Sequence, residues 1–316
     1  MIVSPLKTER RIAGPKLGLA SAVGNTPLLP LPRLTAGLPQ GVQVYAKAEW
    51  FNPSGSVKDR PALNILRTAL DAGELGNGRR LLDSTSGNMG IAYATLGAAL
   101  GVEVTLAIPS NASPERFAVL RALGAELALT DPLEGSDGAI RVARRMAEGE
   151  PDRYFYADQY NNPANWQAHY NSTGPEIWTQ TDGAVTHFVA GLGTTGTLTG
   201  VARCLRERNP DVAIVAFQPD SPFHGLEGLN HIPSSIQPGI FDPGLPDRTL
   251  EVSTEAAYAM TRRLAREEGL FVGVSSGAAA LAALEVAAQL DDGVVVTVFP
   301  DGGYKYLSER FWEQNE

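Results

Sequence analysis

Short apolar or β-branched runs recur along the chain, at Val102–Ile108, Ala125–Thr130, Tyr154–Ala157, His187–Ala190, Ala213–Phe217, Phe271–Val274 and Val294–Phe299. Runs this short, bounded by turn residues, read as strands buried on both faces. Amphipathic segments with helical spacing alternate with them, at Ser113–Leu123, Asp137–Glu148, Ser253–Glu268 and Gly277–Leu290. Ser113 ahead of Pro114-Glu115, and Ser253 or Thr254 ahead of Glu255, predict N-caps that accept from unpaired backbone N–H groups. Gly73, Gly101, Gly124 and Gly269 predict helix ends, where a residue without Cβ closes the last turn left-handed. This alternation places helices on both faces of mostly parallel sheets, so the predicted class is α/β.

Length adds a division. A chain of 316 residues suggests about two domains. The break is expected near Gln159–Pro163, separating an N-terminal unit, 1–162, from a C-terminal unit, 163–316. The Pro-, Gly- and Ser-rich stretch Pro219–Thr249 is too long for an ordinary connection and reads as a functional loop. A formal charge of −9 argues against a nucleic-acid partner and against an anionic membrane surface. No apolar run is long enough to span a bilayer, since Glu285 and Gln289 interrupt the Ala-rich stretch around Ala278–Leu290. The opening residues lack the charged-then-apolar layout of a signal peptide, and a single cysteine allows no internal disulfide. A reducing cytoplasm is therefore the expected location.

Four segments carry candidate chemistry. The turn-rich run Asn52-Pro-Ser-Gly-Ser-Val-Lys58 delivers a lysine to the start of a helix expected from about Asp59 to Leu70. A helix N-terminus lowers an amine's pKa and favours the neutral nucleophile that a Schiff base needs. Taken alone, such a lysine reads as a solvated surface residue. Ser84-Thr85-Ser86-Gly87-Asn88-Met89-Gly90, between a short strand and the helix Ile91–Leu100, offers hydroxyls, an amide and N–H groups to a carboxylate. A well-capped turn is the equal alternative. Gly191-Leu-Gly193-Thr194-Thr195-Gly196-Thr197, directly after a strand, has the makings of a phosphate cradle. It lacks both the lysine of a P-loop and the dinucleotide-binding glycine spacing. Val272-Gly-Val-Ser275-Ser-Gly277 reads as another strand entering a helix, where an ordinary N-cap serine suffices. His169, His187, His224 and His231 show no metal-ligand spacing, so no metal is expected. Cys204 reads as a small packing residue.

Together these segments resemble the cysteine synthase and cystathionine β-synthase family of pyridoxal-phosphate enzymes. The resemblance opens at Gly24-Asn-Thr-Pro-Leu28 and runs through Lys58, the Thr85–Asn88 loop, Gln159-Tyr-Asn-Asn-Pro and Thr173-Gly-Pro-Glu-Ile-Trp178. It continues through the Gly/Thr loop and Ser275-Ser-Gly to Phe299-Pro-Asp-Gly-Gly-Tyr-Lys-Tyr-Leu-Ser308. The form Gly193-Thr-Thr-Gly-Thr197 is similar to the B-type cysteine synthases. The resemblance implies a tryptophan synthase β-like fold: two α/β domains, the cofactor in the cleft between them, a smaller mobile N-terminal domain, and roughly residues 30–51 crossing to the other domain.

It further implies that Lys58 holds pyridoxal 5′-phosphate as a Schiff base and then removes the substrate Cα proton. Asn88 would meet the cofactor's phenolic oxygen, Gly193, Thr194, Thr195, Gly196 and Thr197 its phosphate, and Ser275 its ring nitrogen. Thr85, Ser86, Gly87, Met89 and Gln159 would line the substrate carboxylate site. A neutral hydroxyl at the ring nitrogen favours expelling a β-leaving group over long-lived carbanion chemistry. The implied reaction is β-elimination of an activated serine to an aminoacrylate, followed by addition of a sulfur nucleophile.

Met89 stands where the family usually has threonine, removing one hydroxyl from the carboxylate site. Some relatives that prefer O-phosphoserine place an arginine in the loop after Pro219; His224–Pro233 contains none, which favours O-acetylserine, with His224 and His231 left as the residues there that could meet a phosphate. The sulfur donor is left open among sulfide, thiosulfate and a protein thiocarboxylate. A homodimer is expected, with a serine acetyltransferase or a sulfur-carrier protein as further partners. The competing readings are another β-replacement or serine/threonine dehydratase enzyme, a non-catalytic binding relative, and a plain nucleotide-binding domain.

Overall fold

The computed structural model describes residues 18–85 and 87–313; Ser86 thus lies outside the described residues. In chain order the strands are β1 (Leu28–Pro30), β2 (Gly41–Ala48), β3 (Arg80–Ser84), β4 (Val104–Pro109), β5 (Glu126–Thr130), β6 (Tyr154–Tyr156), β7 (His187–Gly191), β8 (Ala213–Pro219), β9 (Arg248–Val252) and β10 (Asp292–Phe299). The α-helices are α1 (Asp59–Asp71), α2 (Asn88–Leu100), α3 (Pro114–Ala122), α4 (Gly135–Gly149), α5 (Pro163–Ala168), α6 (Gly174–Gln180), α7 (Gly196–Arg208), α8 (Thr254–Glu268) and α9 (Val274–Ala287).

Two sheets organise these elements. The smaller has the order β5-β4-β3-β6 and is parallel throughout. The larger has the order β1-β2-β10-β7-β8-β9 and is parallel except for the β1–β2 pair. The α/β class read from the alternation is the class of the structure. All six residues of β4 are buried, because helices cover both faces of its sheet. Leu66 of α1 and Leu96 of α2 pack with Leu81 and Leu106 on one face; Ala139 and Ala143 of α4 close the other with Leu82 and Tyr154. The larger sheet is covered by α8 and α9 on one side and by α7 on the other. Among the described residues no helix is long and apolar enough to cross a membrane.

Local signals set most boundaries. Ser113 and Ser253 cap α3 and α8, accepting from the N–H groups of Arg116 at 3.4 Å and Ala256 at 3.3 Å. Gly73, Gly101, Gly124 and Gly269 all take positive φ, between 71° and 80°. One expected strand is absent. Phe271–Val274 forms only an isolated bridge, Val272 to Gly302, and α9 begins at Val274 rather than Gly277. After Gly273 donates its N–H to the Asp301 carbonyl at 3.1 Å, the chain turns directly into the helix. An apolar run of that length is compatible with either element.

A buried charge cluster ties the sheets together. Arg60 of α1 donates to both oxygens of Glu49 at 2.7 and 2.8 Å and to both of Glu176 on α6 at 2.7 and 2.8 Å. Lys47 of β2 pairs with Glu176 at 2.6 Å, and Thr26 donates its hydroxyl to Glu49 at 2.7 Å. Arg60 is 2% exposed, Lys47 and Glu49 are fully buried. Each charge is met by an opposite one at hydrogen-bond distance, which is the condition for ions to persist in a core.

Candidate active site

Between the two sheets opens a cleft of about 630 Å³. The Asn52–Lys58 loop enters it first. Asn52 donates its side-chain amide to Glu49, anchoring the loop to the charge cluster. Gly55 takes φ +78°, and Asp59 at the head of α1 accepts from the Ser54 N–H at 2.7 Å and from the Ser54 hydroxyl. The Val57 N–H donates to the Pro300 carbonyl at 2.8 Å, fixing the chain just before Lys58 against the end of β10. Lys58 is the N-cap residue of α1 and lines the cleft. Burial holds its amine below the ordinary lysine range, opposed by the charge of Asp301. Desolvation, more than the helix terminus invoked from the sequence, favours its neutral form.

The segment after β3 reaches the same cleft at the head of α2. The Thr85 hydroxyl accepts from the N–H groups of Gly87 and Gly90, both at 3.1 Å, and so shapes the turn. Gln159 donates one amide N–H to the Ser84 carbonyl at 2.7 Å. Thr85, Gly87, Asn88, Met89 and Gln159 all line the cleft, while Met89 is 3% exposed and belongs to the apolar cluster around α2. Beneath this turn lies Asp83, fully buried, whose carboxyl desolvation pushes up to about 7.

Gly193, Thr194, Thr195 and Thr197 line the opposite wall, where β7 passes into α7. Thr195, the N-cap residue, takes φ +68°, an uncommon conformation for a residue with a Cβ. Its hydroxyl is buried without a hydrogen-bond partner. A side chain at Gly193 would run into the Gly228 carbonyl, and one at Gly196 into the Asn165 amide. Asn165 donates to the Thr194 hydroxyl at 3.1 Å. Behind the loop, fully buried His169 contacts Thr173 through Nδ1 at 2.9 Å and Thr197 through Nε2 at 3.2 Å. Burial, reinforced by the charges of Arg60 and Lys58, holds it well below the usual histidine range, so it is neutral. An anion with several acceptor oxygens fits this helix head, its unpaired hydroxyl and its close-packed glycines. Ser275 lines the cleft from the first turn of α9, which Gly273 caps. Ser86 lies outside the described residues.

Sequence reasoning assigned no role to several polar groups that the fold brings here. Asn88 donates to Asp301 at 2.6 Å and accepts from Lys305 at 2.6 Å. Tyr306 also donates to Asp301, at 2.5 Å, and the other Asp301 oxygen is buried without a partner. Burial raises the Asp301 carboxyl and lowers the Lys305 amine, each opposed by the other's charge. Arg116 of α3 pairs with Glu227 in the loop after β8. Asp301 and Lys305 fall inside the quoted closing motif, whereas nothing local marks Arg116 or Glu227.

Comparison with known proteins gives the same direction. A family profile described as "Pyridoxal-phosphate dependent enzyme" matches residues 19–301. The chain is 53% identical over 299 residues to a cysteine synthase of Aquifex aeolicus, covering 93% of this chain and 91% of that protein. It is 45% identical over 290 residues to cysteine synthase B of Salmonella typhimurium, covering 92% and 94%. The crystal structure of cysteine synthase (OASS) from Entamoeba histolytica superposes with a TM-score of 0.91 at 35% identity, covering 100% of this chain and 95% of that one.

Proposed function

The chain belongs to the pyridoxal-phosphate-dependent enzyme family, among its cysteine synthases, and from that premise we propose how its own residues divide the work. The observation that carries the assignment is the meeting, in one cleft, of the low-pKa Lys58 amine, the Asn88 amide and the Thr194–Thr197 helix head. Lys58 would hold the cofactor covalently, Gly193 through Thr197 its phosphate, Asn88 its phenolic oxygen and Ser275 its ring nitrogen. When bound, pyridoxal phosphate supplies the electron sink that acidifies the substrate Cα–H bond.

The remaining steps rest on side chains. The neutral Lys58 amine accepts the Cα proton, and desolvation favours that neutral form. The Thr85 turn and the N-terminus of α2 receive the substrate carboxylate, with Gln159 bracing the turn through Ser84. Met89 takes no polar part, since its side chain is packed in the core. Loss of the β-substituent as an anion and addition of a sulfur nucleophile at the same carbon complete the replacement, and Lys58 returns the proton.

The leaving group favoured here is acetate. The His224–Pro233 segment carries no arginine, the Arg116 guanidinium is engaged by Glu227, and burial lowers the pKa of His224, favouring its neutral form. The smaller unit, within residues 1–162, would close over the carboxylate. A cytoplasmic homodimer, with a serine acetyltransferase or a sulfur-carrier protein as partner, completes the proposal. The decisive experiment is the visible spectrum of cofactor-loaded protein on adding O-acetylserine, then sulfide. A band that shifts with the ester and returns with sulfide, with cysteine as product, supports the assignment. No spectral change and no cysteine would refute it.

A further inference from the structure

The Arg116–Glu227 pair sits where the cleft meets the carboxylate turn. The Arg116 guanidinium lies against Gly87, with carbon and nitrogen atoms 3.3 to 3.5 Å from where a Cβ would stand. It also stands 6.0 Å from the Tyr306 ring centroid. Both nitrogens of its fork meet the two Glu227 oxygens. Their side chains are 14% and 30% exposed, so the pair is only partly screened by solvent.

Glu227 is rigidly presented. Leu226 is fully buried and Leu229 is 8% exposed in the core of the larger sheet, on either side of it. The Asn230 N–H donates to the Leu192 carbonyl at 2.7 Å, and its side-chain amide donates to the Gly193 carbonyl at 3.2 Å. The carboxylate is thereby fixed relative to the threonine loop while reaching across the cleft to an arginine on the other sheet's helices.

The consequence is electrostatic. Arg116 and Lys305 line the cleft as basic residues and Glu227 and Glu309 as acidic ones, beside the desolvated Lys58 amine. Glu227 cancels the guanidinium nearest the carboxylate turn, leaving the pair without net positive charge. A phosphate ester carries about −1.5 to −2 near neutral pH, whereas an acetyl ester is uncharged. We infer that Glu227 is a specificity-determining residue that disfavours phosphorylated substrates in this cleft by neutralising the Arg116 charge that would otherwise attract the dianion. The inference rests on the reading of the cleft as a β-replacement site for activated serine.

The test compares kcat/KM for O-phosphoserine and O-acetylserine, with sulfide as nucleophile, in wild type, Glu227→Gln and Arg116→Gln. Glu227→Gln removes the compensating carboxylate from Arg116 and raises the phosphoserine-to-acetylserine ratio about tenfold or more, equivalent to ~1.4 kcal/mol of transition-state discrimination. Arg116→Gln leaves the carboxylate uncompensated and moves the ratio the other way. A latch that merely held the cleft shut would move both substrates together and leave the ratio unchanged, and that result overturns the inference. So does an equal rise in KM for both esters in Arg116→Gln, which would make Arg116 an anchor for the common carboxylate. Should Glu227→Gln fail to fold, the direction of the ratio in Arg116→Gln decides alone. Failure of wild type to turn over either ester refutes the underlying reading, whereas turnover of O-acetylserine with a fixed ratio refutes this inference only.

Discussion

Arg60→Met removes the cation at the centre of the buried cluster while keeping a side chain of similar length. Glu49, fully buried, would lose both of its guanidinium bonds, and Glu176 would keep Lys47 and the Asn25 N–H but no guanidinium. Breaking a buried pair by deleting one partner costs ~3–5 kcal/mol, because the surviving charge is stranded. A second route gives the same scale. Arg60 and Lys47 together hold the Glu176 carboxyl down, from 4.5 to about 2. At about 1.4 kcal/mol per tenfold change in acidity, that stabilisation is ~3 kcal/mol. A depressed carboxyl contributes stability that is fully present above pH 4.5 and is lost as pH falls through about 2. Urea unfolding at pH 7, followed by far-ultraviolet circular dichroism and tryptophan fluorescence, should show the wild type more stable by ~3–5 kcal/mol. The gap should shrink in acid. A difference below ~1 kcal/mol at pH 7, within the range of exposed pairs, would refute the claim that this cluster behaves as a buried one.

Three further outcomes are expected. Lys58→Ala should lower turnover by ~10²–10⁴-fold or more with an unchanged circular dichroism spectrum, and wild-type turnover would remove Lys58 from the mechanism. Asp83→Asn should flatten the pH dependence of stability. The raised carboxyl makes the folded state bind a proton that the unfolded chain releases between pH 3.8 and about 7, so stability falls as pH rises through that window, by up to ~4 kcal/mol. Melting temperatures from pH 4 to 8 should therefore converge at low pH and favour the variant at high pH. Thr195→Val removes the unpaired buried hydroxyl and should weaken cofactor binding about tenfold or more in a fluorescence titration, the scale of one hydrogen bond to a charged group. Unchanged affinity would place the phosphate elsewhere.

What the sequence discloses is local. Ser113, Ser253 and the four positive-φ glycines mark helix boundaries because capping acts over a few residues. The Thr194–Thr197 loop was legible for the same reason: hydroxyls, glycines and a helix head are contiguous. Phe271–Val274 departs from the expected strand because a short apolar run does not distinguish strand from helix. Arg116 and Glu227 lie 111 residues apart, and Asn88 and Asp301 lie 213 apart. Such pairs are products of sheet topology, and no periodicity announces them. The cause assigned to the Lys58 pKa also needed the fold, since burial cannot be read from a lysine's neighbours in sequence.

The β1–β2 hairpin has a consequence for biosynthesis. Strand β2 pairs along its whole length with β10, whose residues are made about 250 positions later. At ~5–20 residues per second, roughly 12–50 s separate the emergence of the two strands from a ribosome. Throughout that interval the hairpin has left the exit tunnel while its neighbour in the sheet does not yet exist. The four-stranded sheet, whose strands all lie between Arg80 and Tyr156, has no such delay. Ribosome-stalled chains ending near residue 210 should therefore protect β3 to β6 from protease while leaving β2 cleavable, a vectorial order of maturation set by where one strand sits in the gene.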